Sequence, residues 1–482
     1  MRVAVISALL LTVAAAPRYA TGQAAAFPNT PAGRRAAGWL RAFDARNLDS
    51  VRVFLAAAAP NATEQQFLLR PNPGILGFRE QTGGFDLKRV EESTPTKLGV
   101  LLQERGSDQI ARLDIEVQPA EPYHIVSMTL RPAPRPAELA IPHVADAALV
   151  SELRTRLEGD AAAGRFAGAV LVARDGRTVF EGAYGLANRE RNVANTFDTR
   201  FRIGSMNKMF TAVATLQLVQ QGKLRLDAPI GTYLTDYPNK DVAGKVTIHH
   251  LLTHTGGTGD IFGPQYRQNR LQLRTIGDYV KLYGARDLAY EPGARWEYSN
   301  YGFILLGAII ERVTGMSYYD YVARNVFAPA GMTSTGSEPE DSVVANRSVG
   351  YTRPGPGAAP GPNTETLPWR GTSAGGGYST VRDLSRFATA LREGRLLDAR
   401  HTELLLTGKV EAFSGRYAYG FIDRSVGGVR VVGHGGGAPG MNGELVFEPK
   451  SGFVVVVLAN LDPPVATRVA DFIVNRLQTA SR

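Results

Sequence analysis

Two stretches far apart in the chain, AGAVLVARDGRTVFEGAYG at 167–185 and FVVVVLAN at 453–460, have strand length and strand composition, and mostly helical sequence lies between them. In the first, Val170 to Val172 and Thr178 to Phe180 flank Asp175-Gly176, a hairpin turn whose glycine tolerates positive φ. The second follows GVRVVGHGG and GELVFEP, with turn signals at Pro439-Gly440 and Lys450-Ser451-Gly452. A closing helix over Val465 to Leu477 carries Val469, Phe472, Ile473 and Leu477 on one face. Strands at both ends with helices between predict one antiparallel sheet, assembled from remote segments and flanked by helices, in an α+β fold. The intervening part holds an apolar helix after Ser205 that stops at Gly222 and a second one in SNYGFILLGAIIERVTG (Ser299 to Gly315). PGPGAAPGPN (354–363) reads as a surface insertion that builds no core.

The composition breaks at RPAPRPAELAIP (131–142), where closely spaced prolines stiffen the chain and prevent regular structure. This predicts a signal segment at 1–26, a small α+β domain at 27–131, a Pro-rich linker at 132–146 and the main domain at 147–482. Arg2, the apolar Val3 to Ala16 and the small residues up to Ala26 form the pattern of an export signal, so a periplasmic or secreted location is expected. In the small domain, RRAAGWLRAFDARNLDSVRVFL places Trp39, Leu40, Phe43, Leu48, Val51 and Leu55 near helical spacing. Two alternating strands follow: ARLDIEV with Leu113, Ile115 and Val117 on one face, and IVSMTLR with Val126, Met128 and Leu130. Arg105 to Asp108 supplies a hairpin turn before the first. In element order this part resembles the nuclear-transport-factor-2-like (NTF2-like) α+β domains.

The 482 residues include no cysteine, which excludes disulfides, thiolate metal sites and a cysteine nucleophile. The net charge of +9 comes from scattered arginines without the blocks of a nucleic-acid arm, so no nucleic-acid partner is expected. No segment after the signal is long and apolar enough to span a bilayer.

Three short stretches carry chemistry. In FRIGSMNKMF, Ser205 and Lys208 stand at i and i+3 at the start of an apolar helix, so the amine can reach the hydroxyl. A serine hydroxyl needs a nearby group to take its proton, and a lysine serves if a dry pocket keeps it partly neutral. Helix cap and solvated side chain are the alternative roles for this pair. EPGARWEYSNYGF brings Tyr298, a phenol able to share proton shuttling, and Asn300, an amide able to steady the lysine or bind a substrate carbonyl. Alone, they equally suit a core tyrosine and a helix cap. VVGHGGGAPGMNGE ends a predicted edge strand in His434-Gly435-Gly436-Gly437, where substrate backbone could lie and the N–H of Gly437 could pair with that of Ser205 as an oxyanion hole. A tight turn is the alternative.

In order, GSMNK, EYSN and GHGGG resemble the serine β-lactamase and penicillin-binding-protein superfamily, closest to class C-like enzymes and their D,D-peptidase, D-aminopeptidase and esterase relatives. TIHHLLTHTGG (247–257) and SAGGGYSTVRDLSRFATAL (373–391) add to the likeness, which spans about Leu149 to Leu477. The resemblance implies a β-lactamase/transpeptidase-like fold, an antiparallel sheet with flanking helices and a helical subdomain. It implies Ser205 as acylated nucleophile, Lys208 as its base partner, Tyr298 as general acid/base, Asn300 as substrate-positioning residue and the N–H groups of Ser205 and Gly437 as oxyanion hole. It also implies a small-molecule or peptide acyl substrate, with no cofactor or metal. One departure stands out: β-lactamases carry Lys-Thr-Gly in the third motif, and this chain has His434-Gly435-Gly436. A neutral histidine and a glycine offer a β-lactam carboxylate neither charge nor hydroxyl, which disfavours β-lactam turnover. A slow or non-catalytic binder of penicillin or cell-wall peptides is the rival reading. His250 and His254, spaced i and i+4 on a predicted helix, match zinc spacing but lack the intervening glutamate and a third ligand, and are read as packing and helix ending. Oligomeric state is not legible.

Overall fold

The computed structural model describes residues 25–60, 74–353, 359–413 and 415–478; the predicted export signal up to residue 24 and residues 354–358 of the insertion lie outside them. The N-terminal part opens with helices α1 (Pro31–Asp44), α2 (Leu48–Ala58) and α3 (Gly74–Thr82). The helical spacing from Trp39 to Leu55 is therefore split in two. Arg46 takes a left-handed φ of 58°, and Asn47 caps α2 by accepting the N–H of Ser50 at 2.8 Å. Hydrophobic spacing survives the break because both helices face one core.

Four antiparallel strands follow in spatial order: β1 (Phe85–Ser93), β2 (Lys97–Glu104), β3 (Ile110–Val117) and β4 (Ile125–Ala133). The sequence reading missed the first two. β1 contains two register shifts that scramble its alternation, and β2 is buried on every residue from Leu98 to Leu102. The predicted turn at 105–108 does join β2 to β3. On β4, Val126 is 62% exposed and Ile125 is buried in its place, because a register shift beside Val117 pairs Val117 with Ile125. One apolar cluster, drawn from residues between Ala32 and Met128, fills this part.

Beyond the prolines, α4 (Asp146–Ala162) leads into the hairpin of β5 (Gly168–Arg174) and β6 (Arg177–Tyr184). Asp175 and Gly176 both have positive φ, 49° and 76°, as a two-residue turn of this twist requires. The helices that bear on the site are α5 (Asn207–Gln220), α6 (Ile248–Leu252) and α7 (Asn300–Thr314), the last ended by Gly315 in the left-handed region. The chain then returns to the sheet through β7 (Val410–Ala412), β8 (Gly415–Tyr417), β9 (Ile422–Val426), β10 (Val429–Ala438), β11 (Met441–Phe447) and β12 (Phe453–Ala459), and closes with α8 (Val465–Arg476).

The eight strands run β7-β8-β9-β10-β11-β12-β5-β6, so β12 pairs with β5 antiparallel from Phe453↔Arg174 to Ala459↔Gly168. This is the expected sheet of remote segments. β12 is apolar throughout because both its faces are covered: Val454, Val456 and Leu458 join the cluster around α5 and α7, while Val455, Val457 and Ala459 join that of α4 and α8. Val469, Phe472, Ile473 and Leu477 pack in the second cluster.

Candidate active site

Gly204, Ser205 and Met206 form a 3₁₀ turn that runs into α5. Because the turn continues directly into the α-helix, Ser205 and Lys208 at i and i+3 share one face, and the Lys208 Nζ lies 3.2 Å from Ser205 Oγ. Lys208 is fully buried, yet its amine meets two further oxygens, Asn300 Oδ1 at 2.7 Å and the Ala374 carbonyl at 2.6 Å. Burial lowers its pKa to about 7, against a smaller upward pull from Asp260. A neutral amine has two hydrogens and one lone pair. The carbonyl oxygens of Asn300 and Ala374 can take both hydrogens, leaving the lone pair for the Ser205 hydroxyl.

Tyr298 and Ser205 are each half-buried, and the Ser205 side chain interacts with the Tyr298 phenol. Burial pushes the phenol up, and the interaction with Ser205 offsets this only in part, so Tyr298 keeps its proton at neutral pH. Nζ of Lys208 lies 4.7 Å from the centre of the Tyr298 ring. Ser299, rather than Asn300, caps α7, accepting the N–H of Gly302 at 3.0 Å. Asn300 is the first helical residue, and Asp260 orients it: Asp260 Oδ1 accepts the backbone N–H at 2.9 Å and Oδ2 accepts the side-chain amide at 3.2 Å. This turns the amide oxygen of Asn300 toward Lys208. The sequence reading missed Asp260, which lies just beyond the THTGG stretch; no spacing rule ties a loop aspartate to a helix start forty residues on.

The third motif lies on β10, which is interior and not the predicted edge strand. It pairs with β9 up to Ile422↔Gly433 and with β11 up to Ala438↔Met441. Only 434–438 has a free edge, because β9 ends there. The hairpin closures at Val426↔Val429 and Ala438↔Met441 fix the alternation, so Gly435 and Gly437 aim their N–H and C=O groups at that open edge. A Cβ at Gly436 would stand 1.9 Å from the Ile203 carbonyl and 3.1 Å from Ser205 N, and one at Gly204, whose φ is 51°, 3.1 Å from Gly437 N. Glycines let the 203–205 backbone lie directly against 436–437.

His434 is buried, with both ring nitrogens engaged: Nε2 lies 3.0 Å from the Tyr417 hydroxyl and Nδ1 contacts the Gly435 carbonyl. Burial, then the nearby Lys208, lowers its pKa to about 3, so it carries no charge. His250 and His254 do not share a helix, since α6 ends at Leu252 and His254 lies beyond it at φ 58°. His250 Nδ1 accepts the N–H of Thr247 at 3.2 Å, capping α6, and His254 Nδ1 accepts that of Ser299 at 3.0 Å.

A serine-and-lysine pair at a helix start, facing the open edge of an antiparallel sheet, defines the β-lactamase/transpeptidase-like class of fold. The chain belongs to the beta-lactamase family, whose model matches residues 152–480. Among relatives, esterase EstB of Burkholderia gladioli is 36% identical over 197 residues, 37% of this chain and 50% of that protein. Against three curated bacterial relatives the chain spans 62%, 50% and 38% of their length. Among solved structures, a penicillin binding protein from Bacillus halodurans matches with TM-score 0.59 and 32% identity over 68% of this chain and 98% of that one. A D-stereospecific amidohydrolase from Streptomyces sp. matches with TM-score 0.57 and 29% identity, over 67% and 97%.

Proposed function

We propose that the protein is an exported serine hydrolase that cleaves ester or amide bonds through an acyl-enzyme on Ser205. The observation that carries this reading is the Lys208 amine, buried with no contacting carboxylate among the described residues, with two carbonyl oxygens for its hydrogens and its third direction facing Ser205 Oγ. As Oγ attacks the substrate carbonyl, its proton passes to Lys208, and the N–H groups of Ser205 and Gly437 hold the oxyanion. Tyr298 donates its proton to the leaving group and recovers one from Lys208. Water then retraces the path to release the acyl group. The relatives named as an esterase and an amidohydrolase agree with this reaction class.

The substrate in this reading is a neutral acyl donor. With His434 uncharged and both its nitrogens occupied, and with Gly435 where the β-lactamase pattern has threonine, nothing in the third motif holds a carboxylate. Esters or small amides are therefore expected to outperform β-lactams. Residues 27–131 serve as an accessory unit, joined to the main domain by ion pairs of Glu104 with Arg468 at 2.9 Å and Asp108 with Arg476 at 2.6 Å. Among the described residues, no helix is long and apolar enough to cross a membrane.

The likeness to a penicillin binding protein favours a second reading, a slow binder that acylates and stops. The two readings part at deacylation. Sustained turnover of a p-nitrophenyl ester, lost in Ser205→Ala and exceeding that of nitrocefin, is the expected result. A single stoichiometric burst selects the binder, and turnover that survives Ser205→Ala removes both.

A further inference from the structure

His254 is 1% exposed, adopts a left-handed backbone uncommon among non-glycine residues, and plays no part in the proton path described above. Its contacts converge on Tyr298. Its carbonyl accepts the N–H of Glu297 and its Nδ1 accepts the N–H of Ser299, each at 3.0 Å, so one residue holds the backbone on both sides of the tyrosine. Its ring lies against the Tyr298 ring, with centroids 4.3 Å apart and planes 33° from parallel. Tyr417 at 4.6 Å and Phe303 at 5.1 Å hold the His254 ring in turn.

We propose that His254 is a positioning residue, holding Tyr298 in the plane and at the depth from which its phenol meets Ser205. The choice of side chain supports this. Phenylalanine would supply the ring without the acceptor, and asparagine the acceptor without the ring. Histidine supplies both, at the cost of a buried Nε2 that has no hydrogen-bond partner among the described residues. Burial, with Lys208 and His434 nearby, holds the ring well below the ordinary histidine range, so Nδ1 stays an acceptor throughout the working pH range.

The inference rests on Tyr298 as proton donor to the leaving group. An alkoxide needs that proton and p-nitrophenolate does not, so kcat/KM is measured for the ethyl and p-nitrophenyl esters of one acid. Their ratio within a single sample is independent of the folded fraction, which keeps a poorly folding variant informative. His254→Phe is expected to slow the ethyl ester about 10- to 100-fold and the p-nitrophenyl ester less than about 3-fold. His254→Asn should fall between that and the parent. Adding His254→Phe to Tyr298→Phe should leave the ratio where Tyr298→Phe alone puts it. Equal losses on both esters, or a ratio that worsens further in the double variant, would overturn the proposal. If Tyr298→Phe itself leaves the ratio unchanged, the proton donor is misassigned and the role of His254 falls with it.

Discussion

The two faces of the eight-stranded sheet each bury a cation and treat it in opposite ways. Under α8, Arg424 on β9 lies 3.2 Å from Glu444 on β11 and 3.1 Å from Asp471 on α8, and Thr467 donates to Glu444 at 3.0 Å. Burial alone would lower the guanidinium pKa, but the two carboxylates outweigh it and raise it. On the other face Lys208 touches, among the described residues, only uncharged oxygens, and burial brings it to about 7. A buried charge with a full set of counter-charges stays fixed and fastens the layers. One left without them can give up its proton, and lysine can do so where arginine cannot. The contrast thus separates a fastening from a reactive group without reference to any relative.

The largest test of that contrast is Lys208→Met. With Lys208 proposed as the base for Ser205, turnover of the best ester should fall about 10³-fold or more. Lys208→Arg should be equally inactive. Between about pH 7 and 10.5 the unfolded chain carries a proton on Lys208 that the folded chain has lost, so this residue's contribution to stability rises with pH and is least favourable below about 7. Lys208→Met should therefore be more stable than the parent by on the order of 3 kcal/mol at pH 6, shrinking towards pH 10, in denaturant unfolding. Arg424→Met should do the reverse. It leaves Glu444 and Asp471 without their cation and should cost about 3–5 kcal/mol, with the rate per folded molecule nearly unchanged. If both substitutions destabilise alike, the two cations do not differ in kind.

A smaller effect probes how Lys208 is tuned. With the neutral amine proposed as the base, kcat/KM should rise through about pH 7 and fall away on the acid side. Asp260 pulls the Lys208 pKa upward, so Asp260→Asn should move the acid limb lower, by up to about one pH unit. A limb that stays put or moves higher would show that Asp260 acts only through its bonds to Asn300.

How far the sequence discloses such a site depends on how local each contact is. Ser205 and Lys208 are legible because three residues on one helix turn fix their distance. The sheet is legible because the two-sided burial of β12 leaves an unbroken apolar run. Asp260 is not legible, since its bonds to Asn300 depend on where a loop comes to rest. Nor is the interior position of β10, because a strand that loses its neighbour halfway reads the same as an edge strand. β1 and β2 were hidden by bulges and by burial on both faces, and the break at Arg46 by a core that both helices share. His254 followed helical spacing on paper, but α6 stops two residues before it.

The smallest predicted effect lies at the mouth of the Lys208 face. Phe413 is 65% exposed and takes a φ of 53°, two costs that a hairpin tip has no structural need to combine. Its ring lies 5.0 Å from that of Trp296 and 6.1 Å from that of Tyr298, so it borders the tyrosine proposed to meet the leaving group. An apolar leaving group could cover this ring and recover part of the burial it lacks in the free protein. Phe413→Gly should raise KM for a phenyl ester about 2- to 5-fold, leave the methyl ester of the same acid unchanged, and gain about 1 kcal/mol of stability by easing the left-handed backbone. A KM that moves equally for both esters would place the ring outside the leaving group's reach, and an unchanged melting temperature would show that the φ carries no strain.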